Sequence, residues 1–374
     1  MEEGLAALSR EGRLALFPLF DAYGRPLTHL RVMVTWRCNY RCFFCHSEGY
    51  DARGGAEEVS VEEVSAIAAA GRRVGVYDYK LTGGEPLLRR DIVDIVKAVM
   101  EYGGRPRVSI TTNGSLLAGL AGRLAEAGVD HVNVSLHALE PGLYRRITGV
   151  DMLDRVVEGV RRAWEHGLRV KANFVLLRGV NEGQLIPVLE FAERYCYRLQ
   201  VIELYPVGRA ASGFTEYHLP GTYVYSVLRD RVRRVRYRLG LHTRPILVLD
   251  DGFEVEVVLP VKNAAFCARC SRARVTWDAK LVPCLNWSGE YVDLRELWRG
   301  CRGFEEMVDA VVEGFRRLMR LRKPYTLYTR SDGYIPVRPR TLRLGLPKRD
   351  GTLLFTGARG REHLERLLEE WRDG

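Results

Sequence analysis

The sequence predicts an α/β fold, a partial (β/α)6 barrel of the TIM type, over roughly residues 28–240. Apolar strand patterns alternate six times with amphipathic helical patterns in this range. β-α units in series imply parallel strands. A barrel is favoured over an open dinucleotide-binding sheet because no G-x-G-x-x-G motif follows the first strand.

Six strands and five intervening helical patterns carry this prediction. The strands are HLRVMVT (29–35), VYDYKLT (76–82), RVSITT (107–112), HVNVSL (131–136), LRVKANFVLL (168–177) and LQVIELY (199–205). The helical patterns occupy 61–74, 89–102, 116–128, 152–167 and 182–195. Beyond residue 205 the alternation weakens. There we predict a helix with a solvated arginine face over 221–240 and a hairpin over 244–260 with its turn at DG.

Composition and charge exclude several classes of protein. Apolar residues make up 47% of the 374 residues and charged residues 28%, which is typical of a soluble globular protein. The first residues are acidic and no apolar run approaches the roughly 20 residues of a membrane span. We therefore expect no signal peptide, no membrane segment and a cytoplasmic location. The net charge of +10 is spread along the chain, which favours an anionic small substrate over nucleic acid.

Six of the eight cysteines fall into two groups of three. The groups are Cys38, Cys42 and Cys45, spaced C-x3-C-x2-C, and Cys267, Cys270 and Cys284. In a long chain without a secretion signal, such grouping favours metal sites over disulfides. Three thiolates suit a [4Fe-4S] cluster with one open iron. A structural zinc ion would need a fourth ligand, for which His46 and Cys301 are the nearby candidates.

Polar residues mark the ends of the predicted strands. In LTGGEP, Gly83 and Gly84 permit close backbone approach, and Glu85 begins a rigid turn. Later strands carry Thr111, Ser135, Lys171 and Asn173. Since active sites of β/α barrels lie at the carboxyl ends of the strands, we expect these side chains to face the first cysteine group across one opening.

An arginine pair follows the second cysteine group. Arg272 and Arg274 alternate directly after Cys270, so in an extended segment both project to the same side. Two guanidinium groups on one face suit a phosphate or a carboxylate.

These motifs together resemble a known family. The C-x3-C-x2-C motif, followed about forty residues later by GGEP, resembles the radical S-adenosylmethionine (SAM) enzymes. The string RARVTWDAKLVPCL (272–285) resembles the GTP 3',8-cyclases, the members of that superfamily that begin molybdenum cofactor biosynthesis. The resemblance runs from about Leu19 to Leu321. It implies two [4Fe-4S] clusters, SAM as a cofactor and GTP as the substrate.

The resemblance also assigns roles to individual residues. The first cysteine group holds the catalytic cluster, and Cys267, Cys270 and Cys284 hold an auxiliary cluster. The SAM-binding positions are Phe44, Gly83, Gly84, Glu85, Ser135 and Tyr205. The GTP-binding positions are Arg31, Lys80, Thr111, Lys171, Arg272 and Arg274.

The implied reaction needs partners. A reductant protein of the ferredoxin or flavodoxin type supplies an electron to the first cluster, and SAM is cleaved. The resulting 5'-deoxyadenosyl radical takes hydrogen from the ribose 3' carbon of GTP, which then bonds to C8 of guanine. The product, (8S)-3',8-cyclo-7,8-dihydroguanosine 5'-triphosphate, passes to a cyclic pyranopterin monophosphate synthase. A homodimer is also implied.

Several positions depart from the family pattern. Tyr205 replaces a methionine, His137 replaces an acid, and Gln200 replaces a substrate arginine for which Arg198 is a substitute on the same strand face. The chain ends in WRDG rather than in a Gly-Gly pair. The predicted regions are a lead-in (1–27), the barrel (28–240), the auxiliary-cluster region (241–322) and a basic tail without an assigned role (323–374).

Two other functions remain open from the sequence. One is a radical SAM enzyme acting on a different substrate, such as a peptide, which Cys301 would favour if it closed the auxiliary cluster. The other is a non-catalytic iron-sulfur electron carrier, which would not need the GGEP segment.

Overall fold

The computed structural model describes residues 7–8, 14–15, 18–47, 57–238, 240–261, 263–286, 289–323 and 352–356. The strands are β1 Ala7–Leu8, β2 Leu14–Ala15, β3 His29–Thr35, β4 Asp78–Gly83, β5 Arg107–Thr112, β6 His131–Ser135, β7 Arg169–Leu176, β8 Arg198–Glu203, β9 Val232–Arg238, β10 Arg244–Leu249, β11 Glu254–Val258, β12 Arg272–Val275, β13 Lys280–Val282, β14 Val292–Asp293 and β15 Thr352–Thr356. The helices are α1 Val61–Arg73, α2 Ile92–Tyr102, α3 Ala121–Glu126, α4 Pro141–Thr148, α5 Leu153–Glu165, α6 Leu185–Tyr195, α7 Phe214–Tyr217, α8 Tyr223–Leu228, α9 Ala264–Ala268, α10 Leu294–Trp298 and α11 Phe304–Leu321.

Six parallel strands form the centre of the molecule. β3 to β8 pair in sequence order, each parallel to the next, with helices in the connections. In the described part of the chain β3 and β8 do not pair with each other, so the barrel is open on one side. The predicted partial (β/α)6 barrel is confirmed.

Local sequence explains where the barrel helices begin and end. Ser60 and Glu63 form a capping box at the start of α1, in which each side chain accepts from the backbone N–H of the other residue. α4 was not predicted from the apolar pattern, because it is short and mostly polar. Its signals are a Glu140 cap, Pro141 in the first turn, and Gly149 at φ +75° after the end.

The carboxyl-terminal part adds strands to both edges of the barrel sheet. β10 and β11 form the predicted antiparallel hairpin, and β11 continues the sheet parallel to β8. On the opposite edge β12 lies parallel to β3, and β13 and β14 follow it. Residues from the second half of the chain therefore flank the barrel opening on both sides.

The prediction of one helix over 221–240 was wrong for its second half. α8 occupies only Tyr223–Leu228, and β9 pairs antiparallel with both β10 and β15. In β9 the side chains of Val232 and Val235 are buried while Arg233 and Arg234 are exposed. The β-branched valines pack well on a sheet, and pairing with two strands overrides the helical pattern of the arginines.

Two expectations concern the rest of the chain. Among the described residues, no helix has the length and apolar character needed to cross a membrane. The final helical pattern, EHLERLLEEW (362–371), lies outside the described residues.

Candidate functional site

One cavity of about 640 Å³ opens at the carboxyl ends of the barrel strands. Both cysteine groups line it, which brings residues more than 220 positions apart to the same space. Strand-end residues line the same cavity, as is usual in β/α barrels. They include Lys80, Thr111, Ser135, Asn173 and Tyr205.

Backbone contacts hold the GGEP segment beside the first cysteine loop. The N–H of Gly84 donates to Thr35 O at 2.9 Å, and that of Glu85 donates to Arg37 O at 2.7 Å. A Cβ atom at position 84 would lie 2.2 Å from Arg37 O. Glycine is therefore required at this position by packing against the residue that precedes Cys38.

The first cysteine group has the surroundings of a cluster site. Burial raises the pKa of the Cys38 thiol to about 11 and that of the Cys42 thiol to about 12. Thiolates in such a place need a compensating positive charge, which iron ions supply. Backbone N–H groups point at the sulfurs of Cys38 and Cys45, at 3.4 Å in both cases. Hydrogen bonds of this kind tune cluster sulfurs.

The thiols do not have the arrangement of a single-ion site. Among the described residues, no three His, Cys, Asp or Glu side chains converge on one metal position. A zinc ion draws its ligands onto one centre, whereas a four-iron cluster holds its thiolates around a larger body. Each group offers three thiolates, which suits a [4Fe-4S] cluster with one open iron, whereas a structural zinc site takes four ligands.

The second cysteine group is carried by α9 and the segment after β13: Cys267 lies within α9, Cys270 just after it, and Cys284 just after β13. Asn263 caps α9 by accepting from Phe266 N, and the Cys270 N–H donates to Cys267 O at 3.1 Å. Cys301 lies apart, past the end of α10, where its thiol donates to Leu297 O at 3.7 Å. Cys301 does not line the cavity, whereas Cys267, Cys270 and Cys284 do.

Five of the six predicted SAM-binding residues line the cavity: Phe44, Gly83, Gly84, Ser135 and Tyr205. Glu85 does not. Its buried carboxylate accepts from Leu87 N at 3.0 Å, from Thr112 Oγ1 at 2.6 Å and from Asn113 N at 2.6 Å. Burial raises its pKa to about 7 despite these bonds. Glu85 therefore acts as a positioning residue, because its hydrogen bonds hold the loops after β4 and β5 in place.

Three predicted substrate residues form a row across neighbouring strands. Strand register places Arg274 of β12 beside Arg31 of β3, and Arg31 beside Lys80 of β4. We call these three residues the cation row. Burial, together with the charges of Lys171, Arg272 and Arg31, holds the pKa of Lys80 well below its ordinary value. All three line the cavity, so an anion there would relieve their repulsion.

The remaining predicted substrate residues differ in position. Thr111 and Arg272 line the cavity. Burial and the neighbouring arginines Arg244, Arg31 and Arg274 lower the pKa of Arg272 to about 9. Lys171 does not line the cavity. Its ammonium group lies 3.2 Å from Glu256 Oε2 and 3.5 Å from Gln200 Oε1.

Arg244 is a cavity residue that sequence reasoning missed. Its Nη1 atom lies 3.4 Å from Gln200 Oε1 and 3.2 Å from Glu256 Oε1. Arg244 therefore places a guanidinium group beside Gln200. Arg198, the substitute expected from sequence, pairs instead with Glu254 and does not line the cavity. Other missed lining residues are Arg25, Glu203, His242, Arg322 and Lys323. No motif marks them in a chain so rich in arginine.

Comparison with known proteins agrees with this geometry. The family model "Radical SAM superfamily" matches residues 32–192, and "Molybdenum Cofactor Synthesis C" matches 197–326. A "Probable GTP 3',8-cyclase" of Aeropyrum pernix is 41% identical, over 87% of this chain and 94% of that protein. One of Sulfurisphaera tokodaii is also 41% identical, over 85% of this chain and 100% of that protein.

The chain belongs to the GTP 3',8-cyclase family. The resemblance inferred from the cysteine motifs, GGEP and RARVTWDAKLVPCL is confirmed. The first family model spans the residues of Cys38, Cys42 and Cys45, and the second spans those of Cys267, Cys270 and Cys284.

Solved structures show the same fold at low sequence identity. Streptococcus suis SuiB bound to S-adenosylmethionine aligns with a TM-score of 0.55 and 18% identity, covering 80% of this chain and 68% of that chain. SuiB bound to its precursor peptide SuiA gives a TM-score of 0.54 and 16% identity, covering 78% and 68%. These two likenesses show that the chain shares the fold of SuiB. They carry no information about the substrate of this chain.

Proposed function

We propose that this chain is a radical SAM GTP 3',8-cyclase, a lyase that converts GTP to (8S)-3',8-cyclo-7,8-dihydroguanosine 5'-triphosphate in the first step of molybdenum cofactor biosynthesis. One observation carries the proposal: both three-cysteine groups and the cation row line the same cavity. The relatives named as probable GTP 3',8-cyclases align over nearly their whole length.

The cysteines and GGEP define where the cofactors would bind. Cys38, Cys42 and Cys45 would hold the first cluster, and Cys267, Cys270 and Cys284 the second. SAM would lie against Phe44, Gly84 and Ser135 beside the first cysteine group. When bound, the first cluster and SAM supply a carbon radical able to remove hydrogen from a sugar. The chain's own task is to place the substrate next to it.

Cationic side chains suit the triphosphate of GTP. The cation row presents three basic groups on adjacent strands, and Arg272 extends it. Charge-assisted hydrogen bonds from guanidinium groups to phosphate oxygens are strong and directional. Asn173 Oδ1 is buried without a hydrogen-bond partner among the described residues and lines the cavity. It would accept a hydrogen bond from a hydroxyl or amino group of a bound ligand.

Apolar side chains close part of the cavity against water. Val175, Ile202, Val258 and Phe266 line it beside the polar groups. Excluding solvent strengthens the electrostatic contacts and protects a reactive radical from side reactions. A rigid cavity also holds the reacting atoms in order.

The partners beyond GTP are further proposals. A ferredoxin- or flavodoxin-type reductant, a downstream cyclic pyranopterin monophosphate synthase, a homodimer and a cytoplasmic setting are supported by the family resemblance. Cys301 lies off the cavity, which removes the observation that would have favoured a closed auxiliary cluster and a different substrate.

The test is anaerobic incubation of the reconstituted chain with SAM, a reductant and GTP. We expect 5'-deoxyadenosine and a cyclised GTP in equal amounts. ATP in place of GTP is the control, with little cyclised product expected. Formation of 5'-deoxyadenosine without loss of GTP, across a range of GTP concentrations, would reject GTP as the substrate.

A further inference from the structure

The outer side of the first cysteine loop carries an exposed basic surface. Arg41 lies within the loop, Arg146 lies on α4, and Arg209 lies in the segment before α7. All three are exposed to solvent. We call them the arginine rim. Among the residues that the structure describes, none of the three forms an ion pair with a carboxylate.

Direct contacts attach the arginine rim to the cysteine loop. The Arg41 N–H donates to Thr148 O at the end of α4, at 2.9 Å. The Arg209 N–H donates to Cys45 O, also at 2.9 Å. Gly208 packs so closely on the loop that a Cβ there would lie 2.6 Å from His46 C. The rim is thus built on the backbone that carries the first cysteine group.

Aromatic side chains lie between these arginines. The Phe43 ring, from the loop between Cys42 and Cys45, packs on Tyr217 with a centroid distance of 4.9 Å. Both side chains are partly exposed. Arg146 is close enough to Tyr217 for its charge to act on the phenol, and Glu216 is the acidic residue beside it. Aromatic residues surrounded by arginine are the composition that protein interfaces favour.

We propose that the arginine rim, with Phe43 and Tyr217 at its centre, is the docking surface for an acidic one-electron carrier protein that reduces the first cluster. The proposal rests on the proposed function, which takes two electrons from outside: one cleaves SAM, and a second, together with a proton, completes the 7,8-dihydro product. In the transfer that precedes SAM cleavage the carrier loses one electron and the first cluster gains it. Electron-transfer complexes bury little surface, below about 1,200 Å², so their docking surfaces are built from few residues. Charge complementarity would speed the encounter of the two proteins.

The test compares two triple variants of the full, reconstituted chain. The rim variant is Arg41→Gln, Arg146→Gln and Arg209→Gln. The control variant is Arg123→Gln, Arg155→Gln and Arg320→Gln, three exposed arginines on α3, α5 and α11. Both variants lose the same net charge. The carrier is reduced flavodoxin, and the readouts are the rate of cluster reduction without GTP and calorimetric affinity for oxidised flavodoxin.

We expect the rim variant to be reduced by flavodoxin about tenfold more slowly at low ionic strength, with weaker binding and little remaining salt dependence. Dithionite, a small reductant that needs no docking surface, should reduce it at the wild-type rate. The control variant should stay within about twofold of wild type. Equal losses in both triple variants would overturn the proposal, because net charge alone would then account for them.

A second arm addresses nucleic acid as the occupant. If the rim variant lost affinity for a single-stranded RNA oligonucleotide while keeping its affinity for flavodoxin, the docking proposal would be wrong. Since GTP is absent from every arm, failure of the cyclase assay leaves these results unaffected, and failure here leaves the cyclase proposal standing.

Discussion

Glu85 connects the end of β4 to the end of β5. Its carboxylate accepts hydrogen bonds from Leu87 N, Thr112 Oγ1 and Asn113 N, and it is buried. The resemblance implies a SAM-binding role for Glu85, but in the structure this side chain contacts the loops after β4 and β5 rather than the cavity. Its role is to fix the backbone on which the cavity wall is built.

The pH dependence of stability tests this role. Burial raises the pKa of Glu85 from 4.5 to about 7. The folded chain therefore binds more protons than the unfolded chain between those values, and its free energy of unfolding falls as pH rises through this window. Glu85→Gln removes this component and leaves the Asn113 N–H facing an amide. We expect the variant to be less stable by about 1 to 3 kcal/mol at pH 5.

Urea unfolding of the apoprotein at pH 5 and pH 8 measures the difference. The difference in the free energy of unfolding between wild type and Glu85→Gln should be smaller at pH 8. At that pH the wild-type protein has lost the stability that protonated Glu85 contributes. A gap of constant size would show that Glu85 does not titrate in this range.

The second residue-scale prediction concerns the arginines beyond Cys270. Arg272 and Arg274 both line the cavity, and neither is a cysteine-group residue. Changing both to Ala should weaken GTP binding by about tenfold or more per residue, because each lost charge-assisted contact is worth ~1.5 to 3 kcal/mol. Iron content and SAM cleavage should persist. The exposed Arg316→Ala is the control, and unchanged GTP affinity in the double variant would count against a phosphate role.

At the level of elements, the barrel could be predicted because apolar strand patterns and amphipathic helical patterns alternate clearly along the sequence. Each barrel strand is a buried apolar run, and RVSITT was placed at the observed β5 bounds. β9 was missed because Val232 and Val235 are three residues apart, a spacing that fits a helix and not a regular strand. A register shift opposite Val248 and Leu249 brings both valines to one face of the sheet. Pairing with β10, which lies in a later segment, decides between helix and strand. Local sequence does not contain that contact.

The candidate site divides in the same way. Motifs with fixed spacing identified both cysteine groups and the GGEP segment. Arg244 and Glu256 carry no motif, and only the register of β10 and β11 beside β8 brings them to Gln200. Lys171 is a similar case. Its ammonium group pairs with Glu256, which is 85 positions away in sequence, and does not line the cavity.

Cys301 provides an element-scale prediction. It follows α10 and bonds to Leu297 O, away from the cavity. Cys301→Ala should therefore keep the iron content, the spectrum of the second cluster and GTP affinity. Cys284→Ala, the matched change at a cavity cysteine, should lose the second cluster and weaken GTP binding. Loss or spectral change of that cluster in Cys301→Ala would favour the alternative with a different substrate.

At the scale of the molecule, Glu256 joins the barrel to the added strands. Its carboxylate is fully buried on β11 and lies 3.2 Å from both Lys171 and Arg244, and 3.7 Å from Arg198 and Arg238. Burial alone would raise its pKa, but these four cations hold it well below the ordinary value. One carboxylate thus serves cations from four other strands.

Removing this carboxylate should destabilise the whole fold. Glu256→Gln leaves the buried Lys171 and Arg244, and the partly exposed Arg198 and Arg238, without the carboxylate they share. We expect a loss of about 3 to 5 kcal/mol in the free energy of unfolding, mainly from the two buried cations. Glu254→Gln is the control, since Glu254 and its partners Arg198 and Arg236 are partly exposed. Chemical unfolding monitored by circular dichroism measures both. Equal small effects would mean that Glu256 does not connect the two parts.

The last prediction follows from two cysteine groups facing one cavity. If each group holds a separate [4Fe-4S] cluster, anaerobic reconstitution should give about eight irons per chain. Cys42→Ala and Cys270→Ala should each retain about four irons, because loss of one thiolate from a three-cysteine site leaves the other site intact. Zinc measured alongside iron should be far below one per chain. Stoichiometric zinc, or a wild-type iron content near four that Cys270→Ala leaves unchanged, would show that the second group is not a cluster site.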